Sequence, residues 1–442
     1  MQRRFALAAM TALAVVISGC SSTSTGTTSQ DPKAELTVWI RQAPDSDSAK
    51  TAKRLTDAFT QSSGIPTKLV AIFDDFETKL QQQGAQKALP DIVINDTAQL
   101  GNMQGQGWLR EVDRAKVTGG DKLSDRAWKA AQASNEKYYA MPFSAQAFLF
   151  LVRADWRKKL NLPEPKSWAD VAAMAAAFTN KDPDGNGKKD TYGFVIPGTT
   201  QRGYMSWYAS SYIWANGGNF VEPAGTGKWK PAINNDKSVE AVTWLKEQFC
   251  TAKTVIPGAV NTNTTTAHET FEKNQAGIYL VGPYVLARFV KSLGTDKIEA
   301  IAVPNGPSGG PGALAEGENV YLMSGSKNEA GQLKFAEFAA SAEGQKIGMN
   351  ADAPGAIVRL PVNKDVDMGT VRQDARWKVF QTVYDAAGVY TPNVPNWAPF
   401  RQISADGINA VMADCAADVR QSMNKLADQL GAELKRQNVL AA

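Results

Sequence analysis

An α/β fold with two or more domains is predicted from three features of this 442-residue sequence. Short apolar segments alternate with segments of helical periodicity, which is typical of sheets layered with helices. A single hydrophobic core seldom grows past about 250–300 residues, so a chain of this length is expected to divide. One helix, at 167–179, shows its start clearly, because Ser167 and Asp170 form a capping-box pattern before an apolar face.

The other elements follow in chain order. The segment at 36–40 reads as a strand and precedes a helix pattern with Ala52, Leu55 and Phe59, and the segment at 90–94 reads as a second strand before another helix. The chain ends in a predicted long amphipathic helix, whose apolar stripe contains Ile408, Val411, Cys415, Val419, Met423, Leu426, Leu430 and Leu434. The polar run at 261–266 and the Pro/Gly-rich run at 304–311 are predicted surface loops.

The N-terminus carries the layout of an export signal. Arg3 and Arg4 precede an apolar stretch that ends in Ile-Ser-Gly-Cys at Cys20. This ending resembles the lipobox of bacterial lipoproteins, which implies a signal peptide at 1–19 and lipidation of Cys20. Residues 20–35 read as a flexible polar tether. The apolar part of the leader is too short to span a bilayer, which needs about 20 apolar residues, and no other run reaches that length. The alternative is an ordinary secretory signal, and the leader does not decide between general and twin-arginine export.

Net charge and cysteine content limit the classes of protein to which this chain can belong. The formal net charge is +4, and removal of a leader with two arginines and no acids leaves +2, which does not favour nucleic acid. If Cys20 is lipidated, Cys250 and Cys415 remain in an oxidising compartment. They are expected either to form a disulfide or to stand as two separate buried thiols.

A family resemblance rests on many short segments in order, over roughly residues 35–435. The chain resembles the extracellular solute-binding proteins of ATP-binding-cassette sugar importers, the maltose-binding-protein-like group. The segments are Leu-Thr-Val-Trp at 36–39, Pro-Asp-Ile-Val at 90–93, Gly-Trp-Leu at 107–109, Met-Pro-Phe at 141–143, Ala-Asp-Trp at 154–156, Lys-Ser-Trp at 166–168, Ala-Asn-Gly-Gly at 215–218, Gly-Pro-Tyr at 282–284, Ser-Lys-Asn at 326–328 and Pro-Val at 361–362.

The resemblance implies a two-lobe periplasmic-binding-protein-like fold with three interlobe crossovers. One lobe would contain 36–143 plus 299–357, and the other 144–298 plus 358–442. The ligand would lie in the cleft between the lobes, where small-molecule sites are common, and hinge closure would enclose it.

Candidate ligand-binding residues are flat aromatics for the apolar face of a sugar and polar side chains for its hydroxyls. By resemblance, Trp207 and Tyr284 stand where the family places stacking rings, and Trp397 lies in a loop that often adds another. Strand ends in α/β proteins often carry ligand contacts, which suggests Arg41 and Asp96. The remaining candidates are Trp39, Glu318 and Asn319, and Arg359 is expected to face either the cleft or the solvent. Trp128, Trp168, Trp244 and Trp377 are assigned to the core.

A metal site is predicted at 182–190. Oxygen-bearing side chains at Asp182, Asp184, Asn186 and Asp190, with a backbone carbonyl at Lys188, match the spacing of a Ca²⁺ loop. Gly193 stands at the twelfth position, where that loop has a bidentate Glu, so another carboxylate would be needed. A polar turn after the preceding helix is the alternative.

The predicted protein is a lipid-anchored receptor that binds a carbohydrate, expected to be an oligosaccharide, and is not an enzyme. It would deliver its ligand to permease subunits driven by a cytoplasmic ATPase, act as a monomer, and require no organic cofactor. The single histidine, His268, lacks any catalytic motif around it and reads as a surface helix residue. The alternatives are a surface-anchored carbohydrate-active hydrolase, whose paired carboxylates leave no sequence pattern, and a solute receptor for a signalling partner. The sequence does not reveal which sugar binds or whether it is acidic.

Overall fold

The computed structural model describes residues 29–73, 75–349 and 359–442. The predicted signal peptide, Cys20 and most of the predicted tether lie outside the described residues. The strands are β1 Leu36–Ile40, β2 Thr67–Ala71, β3 Ile92–Asp96, β4 Met141–Ala147, β5 Leu149–Arg153, β6 Tyr192–Val195, β7 Val221–Pro223, β8 Trp229–Pro231, β9 Ala276–Val281, β10 Ile298–Ile301, β11 Ala313–Leu322, β12 Leu360–Pro361 and β13 Gly388–Val389.

The helices alternate with these strands, as the sequence predicts. They are α1 Asp47–Ser63, α2 Phe76–Ala85, α3 Leu100–Gly105, α4 Asp125–Lys129, α5 Ala154–Lys159, α6 Trp168–Asn180, α7 Tyr204–Ala215, α8 Asp236–Cys250, α9 Thr264–Glu272, α10 Leu286–Leu293, α11 Glu329–Ala340, α12 Ala342–Met349, α13 Met368–Arg372, α14 Ala375–Ala387, α15 Ala398–Ala413 and α16 Val419–Arg436. The capping box of α6 is formed, since the Ser167 side chain and that of Asp170 each accept from the other's backbone N–H.

Two sheets divide the chain. The first has the order β12-β4-β11-β3-β1-β2, with β13 beside β11, and the second has the order β10-β5-β9-β6. In the first sheet β1 pairs in parallel with β2 and β3, whereas β11 runs antiparallel between β3 and β4. A separate hairpin of β7 and β8 packs against α16. The two sheets therefore form the centres of two lobes.

The chain passes between the two sheets three times over the described residues. The first crossing lies at Phe148, between β4 and β5, and the second lies between β10 and β11. The predicted boundary after residue 298 falls inside β10, which pairs entirely within the second sheet. Strands β12 and β13 still pair with the first sheet, so the third crossing follows β13 and not residue 357.

The predicted single helix at the C-terminus is wrong. Helix α15 ends at Ala413 and α16 begins at Val419, with Asp418 capping the second helix through Gln421 N. Cys415 lies exposed in the connection and not on an apolar stripe. The two helices pack on each other and on α8 in the second lobe, so the apolar positions face one core although the backbone turns between them.

The core is built from the buried faces of both sheets and their helices. Strands β4, β5 and β9 are buried along their whole length, as expected for strands covered on both faces. Over the described ranges, no helix is long and apolar enough to cross a membrane.

Candidate functional site

The candidate site lies where strands β4 and β11 leave the first sheet to cross toward the second lobe. Residues 144–147 of β4 pair with residues 315–318 of β11 at this end. Their side chains can therefore face groups from both lobes at once. An interlobe position of this kind is where ligand sites are expected in two-domain proteins.

A cluster of charged side chains occupies the first-lobe side. Arg41, just past β1, donates to Asp96 at the end of β3 with Nη1 and Oδ2 2.8 Å apart. Arg359 lies 3.9 Å from the other oxygen of Asp96 and 3.6 Å from Glu318 of β11. Arg41, Asp96, Glu318 and Arg359 have side chains that are only 13–16% exposed. Three predicted ligand residues are thus brought together with Arg359.

The charges in this cluster compensate one another. Burial opposes the charge of the Arg359 guanidinium, but the nearby carboxylates of Glu318 and Asp96 outweigh it and raise its pKa. Breaking one member of such a group leaves a buried charge without its partner, which is costly. The arginines also hold the carboxylates in fixed orientations from which they can accept hydrogen bonds from ligand hydroxyls.

Aromatic side chains form the second-lobe side. Trp207 lies on α7 and stacks on Tyr204, with ring centroids 5.9 Å apart and planes inclined by 15°. The guanidinium of Arg401, on α15, lies 5.2 Å from the Trp207 ring centre. Trp207 Nε1 is buried and has no hydrogen-bond partner among the described residues. A half-buried indole with a free donor is suited to bind a sugar ring by its face and by its N–H.

Tyr284 and Trp397 have different surroundings. Tyr284 is half-buried beside Tyr208 and His268, and burial raises its pKa to about 12. Trp397 is 5% exposed, stacks on Phe400 and borders the same cleft as Trp207. Both rings are therefore mainly part of the second-lobe packing, with one edge available to the cleft in the case of Trp397.

A narrow cleft lies between the aromatic side and the first lobe. It is lined by Ala98 and Glu316 from the first lobe and by Trp207, Trp397 and Arg401 from the second, and its volume is about 10 Å³. A cavity of that size holds about one water molecule. A sugar can enter only if the lobes move apart, as in hinge-type closure around a ligand.

Two predicted ligand residues lie away from this group. Trp39 packs edge-on against Phe76 of α2, with ring centroids 6.2 Å apart. Asn319 is 1% exposed and donates to the carbonyl oxygen of Ala130 at 2.9 Å. The register of β4 against β11 shifts between Glu318 and Asn319. Adjacent residues of a strand point to opposite faces of the sheet, so Glu318 joins the charged cluster and Asn319 does not.

The sequence reasoning missed Glu316, Gln146 and Arg401. Glu316 is 6% exposed, accepts from Gln146 Nε2 at 3.2 Å and borders the cleft. The available signal was the position of Glu316 two residues before the candidate Glu318, because alternate residues of a strand share a face. Arg401 gives no comparable signal, because its position over Trp207 depends on how α15 packs on α7.

The predicted Ca²⁺ loop folds around its own side chains. The Asp182 carboxylate accepts from the backbone N–H groups of Gly185, Asn186 and Gly187. The Asn186 side-chain amide donates to Asp184 at 2.9 Å and to Asp190 at 3.2 Å. These are contacts of a polar turn, and no group of three His, Cys, Asp or Glu side chains within the described ranges is arranged to hold a metal. The Ca²⁺ site stays a prediction.

His268 is not the surface residue that the sequence suggests. Its ring packs among Tyr279, Tyr284 and Phe289, with centroids 5.8–6.0 Å away. Burial, and secondly the Arg288 charge, lower its pKa to about 4. The buried face of α9 explains the difference, because the amphipathic pattern of that helix places residue 268 toward the β9 strand. No second histidine exists to build a catalytic or zinc site around it.

Cys250 and Cys415 form a disulfide in the structure, with Cα atoms 5.5 Å apart. Cys250 ends α8, and Cys415 lies in the connection between α15 and α16. The bond therefore ties together the three helices that cover this side of the second lobe.

Comparison with known proteins places these features in a family. The sequence profile of a family described as bacterial extracellular solute-binding protein matches residues 54–407. A probable ABC transporter-binding protein of Deinococcus radiodurans is 27% identical over 328 residues, covering 71% of this chain and 74% of that protein. The polygalacturonan/rhamnogalacturonan-binding protein YtcQ of Bacillus subtilis is 26% identical over 330 residues, covering 69% of this chain and 62% of YtcQ.

A solved structure shows the same fold. The GacH receptor of Streptomyces glaucescens, known unliganded and with acarbose, superposes with a TM-score of 0.77. The match covers 93% of this chain and 100% of that receptor at 18% identity. At this identity the likeness concerns the fold alone, and it confirms the predicted two-lobe architecture.

Proposed function

The chain belongs to the bacterial extracellular solute-binding proteins, and from this premise we propose that it binds an oligosaccharide for an ABC importer. The observation that carries the proposal is an aromatic surface around Trp207 that faces Glu316 of the first lobe across the cleft. An aromatic surface around Trp207 can stack on a sugar ring. A charged cluster of Arg41, Asp96, Glu318 and Arg359 can hydrogen-bond its hydroxyls.

The ligand contacts would come from both lobes, so ligand binding would favour the closed form by its differential affinity for it. That form would dock on the permease subunits, while a cytoplasmic ATPase drives transport and the receptor itself performs no chemistry. The names of the relatives support a carbohydrate, since YtcQ binds polygalacturonan and rhamnogalacturonan. We propose that the receptor acts as a monomer without an organic cofactor.

A ligand screen tests this function. Purified protein is incubated with neutral and uronic-acid oligosaccharides while its thermal midpoint and any released product are followed. A ligand present at about 100 times its dissociation constant should stabilise the fold by about 2.7 kcal/mol, with the sugar recovered unchanged. Product that accumulates over many turnovers would instead support the hydrolase alternative. A screen in which no sugar raises the midpoint would contradict the carbohydrate proposal.

We also propose that Cys20 is lipidated and holds the receptor at the outer face of the cell membrane. The support is the Ile-Ser-Gly-Cys ending of the leader and the polar tether that follows. A flexible leash keeps a receptor near its permease at high effective concentration. Near the start of the described chain, Gln30 and Asp31 donate hydrogen bonds to the backbone carbonyls of Ser326 and Lys327. The tether would therefore extend from the first lobe.

Replacing this cysteine separates anchoring from binding. We expect Cys20→Ser to move the protein from the membrane fraction to the soluble exported fraction, with unchanged ligand affinity. Ser22→Ala, two residues away, is the matched control and should stay with the membrane. Membrane retention of Cys20→Ser would contradict a lipid anchor at this residue.

A further inference from the structure

A buried polar pair lies at the base of the cleft, beside the hinge. Glu316 of β11 and Gln146 of β4 are directly opposite each other in the antiparallel register. They are 6% and 3% exposed, and Gln146 Nε2 donates to one carboxyl oxygen of Glu316 at 3.2 Å. Strand β4 crosses to the second lobe at Phe148, two residues beyond Gln146, whereas the connection from β10 ends where β11 begins, three residues before Glu316. The pair therefore lies where a ligand held by both lobes would contact it.

Each partner has hydrogen-bonding capacity that the protein does not use. Gln146 Oε1 is buried and has no partner among the described residues, although buried acceptors are nearly always paired. Gly282 lies close against this oxygen, because a Cβ at that position would be only 2.9 Å from it. The second carboxyl oxygen of Glu316 carries no hydrogen bond within the described ranges, and Glu316 borders the cleft beside Trp207 and Arg401.

The surroundings favour the neutral form of Glu316. Burial is the main cause, the Asp96 carboxylate at the end of β3 is the second, and together they raise the pKa of Glu316 to about 8. Arg359, Arg401 of α15 and the Gln146 side chain act in the opposite direction without reversing the effect. The other titratable groups that interact with Glu316 are the hydroxyls of Tyr284 and Tyr390. At neutral pH the carboxyl therefore retains its proton.

We propose that Glu316 and Gln146 bind two neighbouring hydroxyls of the ligand, Glu316 as a neutral acid that donates and Gln146 as an acceptor. A neutral carboxyl offers one O–H donor, and the free amide oxygen offers one acceptor, on adjacent strands. Two vicinal hydroxyls of a sugar match this arrangement, since one can accept while the other donates. The pair would make the site select for a vicinal diol, because a ligand without it leaves buried polar atoms unpaired.

The inference rests on the proposed function and gives it a pH dependence. Below a pH of about 8 Glu316 is neutral and donates to the ligand. Above this pH it loses the proton that it donates and adds a buried negative charge beside Asp96. Affinity for a neutral sugar is therefore expected to fall as the pH rises, by about tenfold between pH 6 and pH 9.

Four proteins test the pair by calorimetric titration with maltotriose and, separately, trigalacturonate at pH 6 and pH 9. They are the wild type, Glu316→Gln, Glu316→Ala and Gln146→Leu. Glu316→Gln keeps a neutral donor of the same shape, so we expect its affinity at pH 6 to stay within about threefold and its pH dependence to disappear. Glu316→Ala and Gln146→Leu should each lose about tenfold or more at pH 6. Circular dichroism checks that each variant is folded.

A measurement without ligand tests the protonation state of Glu316 separately from the proposed binding of a sugar. The infrared spectrum of the wild type at pH 7, minus that of Glu316→Gln, should show the carbonyl band of a protonated carboxyl group that disappears at alkaline pH. Wild-type binding with no pH dependence, or a carboxylate band at pH 7, would overturn the role of Glu316 while leaving the receptor function intact. Failure of the wild type to bind either sugar would overturn the proposed ligand class and the hydroxyl pairing with it.

Discussion

Loss of the Cys250–Cys415 disulfide is expected to lower the free energy of unfolding by about 5 kcal/mol, the value for a loop of this length in the chain-entropy description. The two cysteines are 165 residues apart, so the reduced unfolded chain gains much freedom that the cross-linked chain lacks. Without the disulfide, only packing contacts hold α8 against the connection between α15 and α16. Residual structure in the unfolded chain would reduce the measured difference.

Denaturant unfolding of the Cys250→Ser/Cys415→Ser protein against the cross-linked protein measures this effect. Both carry Cys20→Ser, so that no third thiol can exchange. Adding reductant is the internal control, because it should lower the stability of the cross-linked protein and leave that of the serine variant unchanged. Equal stability of the two proteins without reductant would show that the bond does not constrain the unfolded chain.

The local elements of the fold could be predicted from the sequence. The first strand and the start of α6 coincide with their predicted positions, because a capping box and an apolar run are local signals. The C-terminal helix pattern was local too, but it could not show the turn at Cys415. Apolar residues at helical spacing are satisfied equally by one long helix and by two helices that pack on the same core.

The candidate site was only partly predictable for a physical reason. Arg41 and Asp96 follow strands whose carboxyl ends meet at one sheet edge, so adjacency was predictable from strand position. Glu318 and Asn319 are neighbours in sequence but differ in role, because adjacent residues of a strand point to opposite faces of the sheet, and which face meets Asp96 depends on the pairing of β11 with β3. Glu316 acquires its properties from burial among groups of both lobes, which no local pattern encodes.

The Trp207→Ala variant is expected to lose at least about 2 kcal/mol of binding free energy, or ~30-fold in affinity, toward the oligosaccharide that stabilises the wild type. The substitution removes the ring that stacks on Tyr204 and lies under the Arg401 guanidinium. It also removes an indole N–H that has no hydrogen-bond partner among the described residues. Trp207→Phe should retain part of the affinity, since it keeps a stacking face and loses the donor.

Trp229→Ala, which also truncates a half-buried tryptophan of the second lobe, is the matched control because β8 lies outside the cleft. Titration calorimetry of the three variants distinguishes the outcomes, and unchanged affinity of Trp207→Ala would mean that the ligand does not contact the α7 surface.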